Sequence, residues 1–105
     1  MVNAEIKEMT RRFVETLKPV KIILFGSYAK DTYTKNSDYD FYIIMPDDTK
    51  ENMIDSTIAA YASIDDMTNR KAVDILTNKQ KYFDERKNRI TIERIINREG
   101  IVLYG

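Results

Sequence analysis

The sequence predicts a layered α/β domain spanning residues 1–105. Three observations carry that expectation. Apolar runs of strand length stand at 20–25, 40–45 and 72–76, the segments around them repeat apolar residues at three and four, and Gly26 and Pro46 close the first two runs. Strands alternating with helices bury their apolar faces by stacking in layers.

Ile6, Met9, Phe13 and Leu17 mark one face of a first helix, with Asn3 as N-cap and Pro19 as its stop. The run 20–25 carries one charge, Lys21, and reads as a central strand. After Gly26, residues 27–30 are long enough for one helical turn, and 31–37 are polar and turn-like. A second strand covers 40–45. Asp48 and Glu51 form a capping-box-like pair ahead of a second long helix lined by Ile54, Ile58 and Tyr61. A polar connection at 65–70 leads to a third strand at 72–76. A charged helix is expected at 79–87 and another around Ile92, Ile95 and Ile96, with Gly100 as its C′ residue. Residues 101–104 form a last short strand.

Composition excludes several chemistries. The 105 residues make one domain, and 43% hydrophobic content supports a folded core. Cysteine and histidine are both absent, which removes disulfides, thiolate nucleophiles, imidazole catalysis and Cys/His zinc sites. Any metal must be a hard cation on oxygen, and any general base a carboxylate. Lys+Arg and Asp+Glu number 17 each, so no basic excess favours general nucleic-acid binding. No apolar run reaches membrane-span length, and the N-terminal residues show no signal-peptide pattern, so a cytosolic location is expected. The basic stretch Lys79, Lys81, Arg86, Lys87, Arg89 is diluted by Asp84 and Glu85 and reads as a solvated helix face.

Gly26-Ser27 is followed ten residues after the serine by Ser37-Asp38-Tyr39-Asp40. A glycine directly after a buried strand lets another group approach the backbone, and the free N–H groups of a helical turn beginning at Ser27 favour an anion. The plainer reading is an ordinary strand-to-helix turn capped by Ser27. Asp38 and Asp40 point to one face of a strand and repel each other unless a cation lies between them. Alternatively, Asp38 belongs to the loop and Asp40 caps the strand edge. Asp74 interrupts the apolar run Ala72-Val73-Asp74-Ile75-Leu76. A buried carboxylate there demands a partner or a metal; the alternative is an exposed position on an edge strand. Together, three carboxylates beside a phosphate cradle suit magnesium-dependent phosphoryl chemistry.

The ordered set Leu24-Phe25-Gly26-Ser27-Tyr28-Ala29-Lys30, Ser37-Asp38-Tyr39-Asp40-Phe41 and Val73-Asp74-Ile75 resembles the minimal nucleotidyltransferases of the DNA polymerase β superfamily. The close, Arg98-Glu99-Gly100-Ile101-Val102-Leu103-Tyr104, is similar to that family's too, so the resemblance covers nearly the whole chain. It implies a nucleotidyltransferase fold, a small mixed β-sheet flanked by helices (α+β by some schemes). It implies that Asp38, Asp40 and Asp74 ligate two Mg2+ ions, that Asp74 helps deprotonate the attacking hydroxyl, and that Gly26 and Ser27 hold the β- and γ-phosphates of ATP. Lys30 keeps one cation near the phosphates. Tyr28 replaces a basic residue beside the cradle, Asp31 replaces a glycine, and Tyr39 stands where an aliphatic residue is common.

The chain has no room for the extra domains of larger relatives. The resemblance therefore implies the stand-alone type that pairs with a small helical HEPN-domain protein and, as antitoxin, moves AMP from ATP to a tyrosine of that ribonuclease. Two other readings stay open: a binding module that neutralises such a partner by contact alone, and a transferase acting on a small molecule.

Overall fold

A computed structural model describes residues 2–105. The first helix, α1 (Ala4–Leu17), buries Ile6, Met9 and Phe13 completely, as their spacing requires. Asn3 caps it, its Oδ1 accepting from Ile6 N at 2.8 Å. The helix ends at Lys18, which turns left-handed (φ 52°) one residue before Pro19. There follow β1 (Lys21–Phe25), a single turn α2 (Ser27–Lys30), β2 (Tyr39–Met45), α3 (Met53–Ser63), β3 (Val73–Lys79), α4 (Gln80–Arg86), α5 (Ile92–Glu99) and β4 (Ile101–Tyr104).

The four strands form one mixed sheet in the order β3-β2-β1-β4. β1 runs antiparallel to both β2 and β4, while β2 and β3 are parallel. β1 is central, as its apolar run predicts. Alternate residues divide the core into two layers. Ile22, Leu24, Phe41, Ile43 and Ile75 face the first layer, with α1 and Ala60 of α3. Ile23, Tyr42 and Ile44 face the second, with Phe83 of α4 and Ile96 of α5.

Three expectations need correction. The cap of α3 is Asn52, whose Oδ1 accepts from Asp55 N at 2.8 Å, not the Asp48/Glu51 pair. Residues 46–49 are occupied by a turn in which Thr49 N donates to Pro46 O at 3.1 Å. Secondly, the bulky stripe of α3 is not its buried face. Ile54 is 73% and Ile58 61% exposed, whereas Ser56 and Ala60 are buried. α3 lies on α1 and β3 through these two small residues, which permit close approach and leave the large ones outside. Thirdly, Gly100 is not a left-handed C′ residue. Its φ of −73° is open to any residue. Space is the constraint there: a Cβ would lie 2.6 Å from Ile96 O and 3.1 Å from Leu24 O, at the sharp passage from α5 into β4.

A buried polar network joins α4 and α5 to the sheet. Tyr42 Oη donates to Glu93 Oε2 at 2.9 Å and accepts from Asn78 Nδ2 at 2.9 Å, and Arg86 Nε donates to Glu93 Oε1 at 2.8 Å. Burial alone would raise Glu93, which is 2% exposed, but the bonds from Arg86 and Tyr42 outweigh it and hold the carboxyl below its ordinary range. Nothing in the sequence pattern announced this network.

Candidate functional site

The parallel register sets Asp40 directly opposite Asp74, and the antiparallel register sets Asp40 opposite Phe25, the residue before Gly26. Register partners share a sheet face, so both carboxylates project from the side covered farther along by α4 and α5. Asp40 is half-buried, while Asp38 and Asp74 are exposed. The costly buried position argued for Asp74 is therefore not found: β3 is an edge strand and Asp74 faces solvent from it.

Tyr39 explains why the two neighbouring carboxylates face outward. Its ring is buried in the opposite core layer and its hydroxyl donates to Glu5 Oε1 at 2.7 Å and accepts from Asn3 Nδ2 at 3.2 Å. Burial, then Glu5, pushes the phenol up to about 12. With Tyr39 fixed inward, strand alternation turns Asp38 and Asp40 outward.

Gly26 has φ 74° and ψ −154°, a conformation reserved for glycine. A Cβ there would also collide with Asp40 Oδ2. The Gly-Ser turn and the second aspartate thus occupy adjoining space. The turn α2 follows, with Ala29 N and Lys30 N donating to Gly26 O at 3.1 and 3.2 Å. The N–H groups of Ser27 and Tyr28 come before these first helical bonds, at the end of the turn nearest Asp40. Asp31, standing in place of a glycine, takes the left-handed conformation (φ 60°), and its N–H bonds Ser27 O, so the turn closes without glycine.

Tyr28 is not beside the cradle. It is 4% exposed, stacks on Tyr33 with ring centroids 4.2 Å apart, and meets Tyr39 edge-on at 4.7 Å. It belongs to the core. Lys30 Nζ lies 3.2 Å from Glu99 Oε1, and both residues line a pocket with Phe25 and Gly26. Lys71 went unnoticed in the sequence. Its Nζ donates to Lys35 O at 2.7 Å and Ser37 O at 3.3 Å, tying the loop before Asp38 to the segment before Asp74. A lone lysine before a strand carries no signal that would have marked it.

The electrostatics centre on Asp40. Burial, reinforced by the charges of Asp74 and Asp38 and a hydrogen bond with Asp74, pushes it up to about 6 from 3.8. Among the described residues, no three acidic side chains are gathered closely enough to hold a metal as they stand. The donor set nevertheless suits a hard cation: carboxylate oxygens alone, two in register and one on the adjoining loop, with their repulsion uncompensated.

That repulsion has a measurable sign. The unfolded chain ionises Asp40 near pH 4 and the folded chain near pH 6, so the ionised group disfavours the fold. Asp40's contribution is fully present below pH 4, is lost as pH rises to about 6, and stays lost at neutrality. In chelator, Asp40→Asn is expected to melt higher than the parent at pH 7, by about 1 kcal/mol after solvent screening is allowed for, and to lose this advantage near pH 4. Melting curves at both pH values check it; equal stability at pH 7 would contradict the repulsion.

A family model described as a nucleotidyltransferase domain matches residues 6–97. No curated protein matches the sequence. Among solved structures, the chain is similar to a candidate nucleotidyltransferase from Sulfolobus solfataricus, with a TM-score of 0.63 and 18% identity over 93% of this chain and 75% of the other. It is also similar to a toxin-antitoxin structure solved with AMP-PNP, with a TM-score of 0.58 and 21% identity over 94% of this chain and 73% of that one. At such identities these two show a shared fold. The family match, which takes in the Gly-Ser turn and both strands that bear Asp40 and Asp74, goes further: the chain belongs to the nucleotidyltransferase domain family.

Proposed function

We propose that this chain transfers AMP from ATP to a hydroxyl, and that the acceptor is a tyrosine of a HEPN-domain partner that the transfer silences. The observation that carries the reading is the facing pair Asp40 and Asp74 beside Gly26. Asp38, Asp40 and Asp74 would hold two magnesium ions, which supply positive charge to the entering and leaving oxygens. Gly26 and Ser27 would receive the β- and γ-phosphates on backbone N–H groups. Asp74, exposed at the sheet edge, is open to an incoming macromolecular acceptor and would take its hydroxyl proton. The bond formed joins the acceptor oxygen to the α-phosphorus; the bond broken joins that phosphorus to the oxygen bridging to the β-phosphate, and pyrophosphate leaves. The toxin-antitoxin neighbour solved with AMP-PNP supports both the nucleotide and the protein partner.

Incubation with α-labelled ATP, magnesium and the protein encoded by the adjacent gene tests the reading. Label on a tyrosine of that protein is expected; label confined to a small molecule, or none at all, counts against it. ATP affinity should also depend on the metal, because three carboxylates repel a bare triphosphate. Calorimetric titration with magnesium and again with chelator should differ by at least about tenfold, and equal affinity would remove the metal from the site.

A contact-only antitoxin is the second reading. The pairing of Lys30 with Glu99, which already engages that cation, and the acidic Asp31 at the end of α2 favour it. It predicts neutralisation of the partner with no label transferred.

A further inference from the structure

Asp40 and Asp74 are fixed to each other by strand register. Asp38 lies just before β2 and pairs with no strand. The chain on either side of it is held all the same, and on both sides by the segment that leads into β3. Ser37 O accepts from Lys71 Nζ at 3.3 Å, and Tyr39 N donates to Ala72 O at 3.1 Å. The residues that grip the flanks of Asp38 thus stand three and two positions before Asp74.

The Lys71 ammonium is itself fixed from several directions. Its Nζ also donates to Lys35 O at 2.7 Å and lies 5.9 Å from the centroid of the Tyr28 ring, which is 4% exposed. An ammonium serves both kinds of neighbour, donating to the carbonyls and being attracted by the ring face. The Lys71 backbone is braced in turn. Arg70 Nη1 donates to Lys71 O at 3.0 Å and Arg70 Nε to Ile64 O at 3.2 Å, and Ile64 is fully buried. Within the loop, Ser37 N donates to Thr34 O at 3.1 Å and Ser37 Oγ accepts from Thr34 N at 2.9 Å, closing a turn whose carbonyls at 35 and 37 meet the one ammonium. Contacts therefore run without a break from the core, through Arg70 and Lys71, to the residue before Asp38.

A bond to backbone acts differently from a bond to carboxylate. An ammonium paired with Asp38 itself would compete with a metal ion for its oxygens. Held at the preceding carbonyl, it leaves those oxygens free and removes motion from the chain that carries them. Among the described residues Asp38 makes no ion pair. Ordering one residue's backbone only when a ligand arrives lowers affinity by about tenfold, and a residue ordered beforehand escapes that loss.

We propose that Lys71 is a positioning residue that holds Asp38 ready for the metal-bound triphosphate through the Ser37 carbonyl. The inference deepens the function proposed above and rests on its metal-binding half.

Lys71→Met tests it, because methionine keeps much of the aliphatic stem and removes the donors. The first readout needs no metal. The Ser37 carbonyl and the Asp38 N–H belong to one peptide plane, so the Asp38 amide reports the clamp directly. In chelator its backbone order parameter should be about 0.85 in the parent and fall below about 0.6 in the variant, while that of Phe41 stays high and the variant still melts cooperatively. The second is the magnesium concentration that half-restores ATP binding in calorimetry, which should rise about tenfold. If Lys71 acted by charge alone, its loss beside carboxylates would lower that concentration instead. In an Asp38→Asn background, Lys71→Met should have no further effect on the magnesium requirement. Should Lys71→Met fail to melt cooperatively, Lys71→Gln, with one donor group on a shorter stem, replaces it in each measurement. An Asp38 amide equally ordered with and without Lys71, an unchanged or lowered magnesium requirement, or a further tenfold loss in the Asp38→Asn background overturns the proposal. Asp38→Asn with an unaltered requirement removes Asp38 from the ligand set and this inference with it. An altered requirement in Asp38→Asn with none in Lys71→Met removes this inference alone.

Discussion

Asp74→Asn is expected to lower AMP transfer by about a hundredfold to ten-thousandfold, the range spanned by general-base groups, while ATP affinity changes far less. With no histidine or cysteine in the chain, only a carboxylate or water can accept the acceptor's proton near neutrality. Asp74 is the exposed member of the facing pair, so it can reach a hydroxyl delivered from outside. Asparagine keeps the shape and removes the proton acceptor. It also removes one of the two charges acting on Asp40, so the metal-free variant should fold at least as well as the parent. Turnover and affinity measured on the same preparation decide the matter. Undiminished transfer takes Asp74 out of the mechanism, and full neutralisation of a partner without transfer favours the contact-only reading.

Gly26→Ala is expected to damage function more than folding. Alanine at φ 74° and ψ −154° costs about 1–3 kcal/mol of backbone strain. The new methyl also takes the space of Asp40 Oδ2, so the carboxylate must swing away from its place opposite Asp74. An aspartate can rotate at modest energetic cost, but a ligand set displaced by about 1 Å loses on the order of a hundredfold in rate. Magnesium-dependent ATP binding in Gly26→Ala should therefore fall at least about tenfold while the variant still melts cooperatively. In an Asp40→Ala background the collision is absent, since a Cβ at 26 lies 3.4 Å from that of residue 40, and only the strain should remain as a loss of stability. Unaltered ATP binding in Gly26→Ala would show that the turn and Asp40 do not share the site.

Much of the fold was legible because its strands are short apolar runs with abrupt ends. The single turn α2 (Ser27–Lys30), the Asn3 cap and the central place of β1 all follow from local patterns that the structure keeps. What escaped is what depends on neighbours. The stripe Ile54, Ile58, Tyr61 has core periodicity, yet Ser56 and Ala60 decide which face closes on α1, because backbone approach there favours small residues. Tyr28 sits in the phosphate-turn motif, but its ring turns inward to Tyr39 with the exposed Tyr33 stacked over it, an arrangement set by the path of the 31–37 loop and not by a helix or strand period. Asp74 was marked by its charge within an apolar run. Its register with Asp40 is a property of strand pairing, and its exposure a property of sheet order. Lys71 acts through backbone carbonyls of the 31–37 segment, which composition does not reveal.

Tyr39 gives the site two mechanical sides. Its hydroxyl is moored to Glu5 and Asn3 of the N-terminal helix, so the backbone bearing Asp40 moves with the core. The segment just before it, 31–36, is exposed throughout and is tied to the rest at a few points: Asp31 N and Thr32 N on Ser27 O, the Tyr33 ring on Tyr28, and Lys71 Nζ on Lys35 O. Amide exchange should therefore change sharply within a few residues, fast at Tyr33 and Lys35, whose N–H groups make no hydrogen bond among the described residues, and close to the global unfolding rate at Phe41. A charged ligand would meet a wall fixed to the core on one side and an exposed loop with few ties on the other, so the wall alone fixes where its charge must sit.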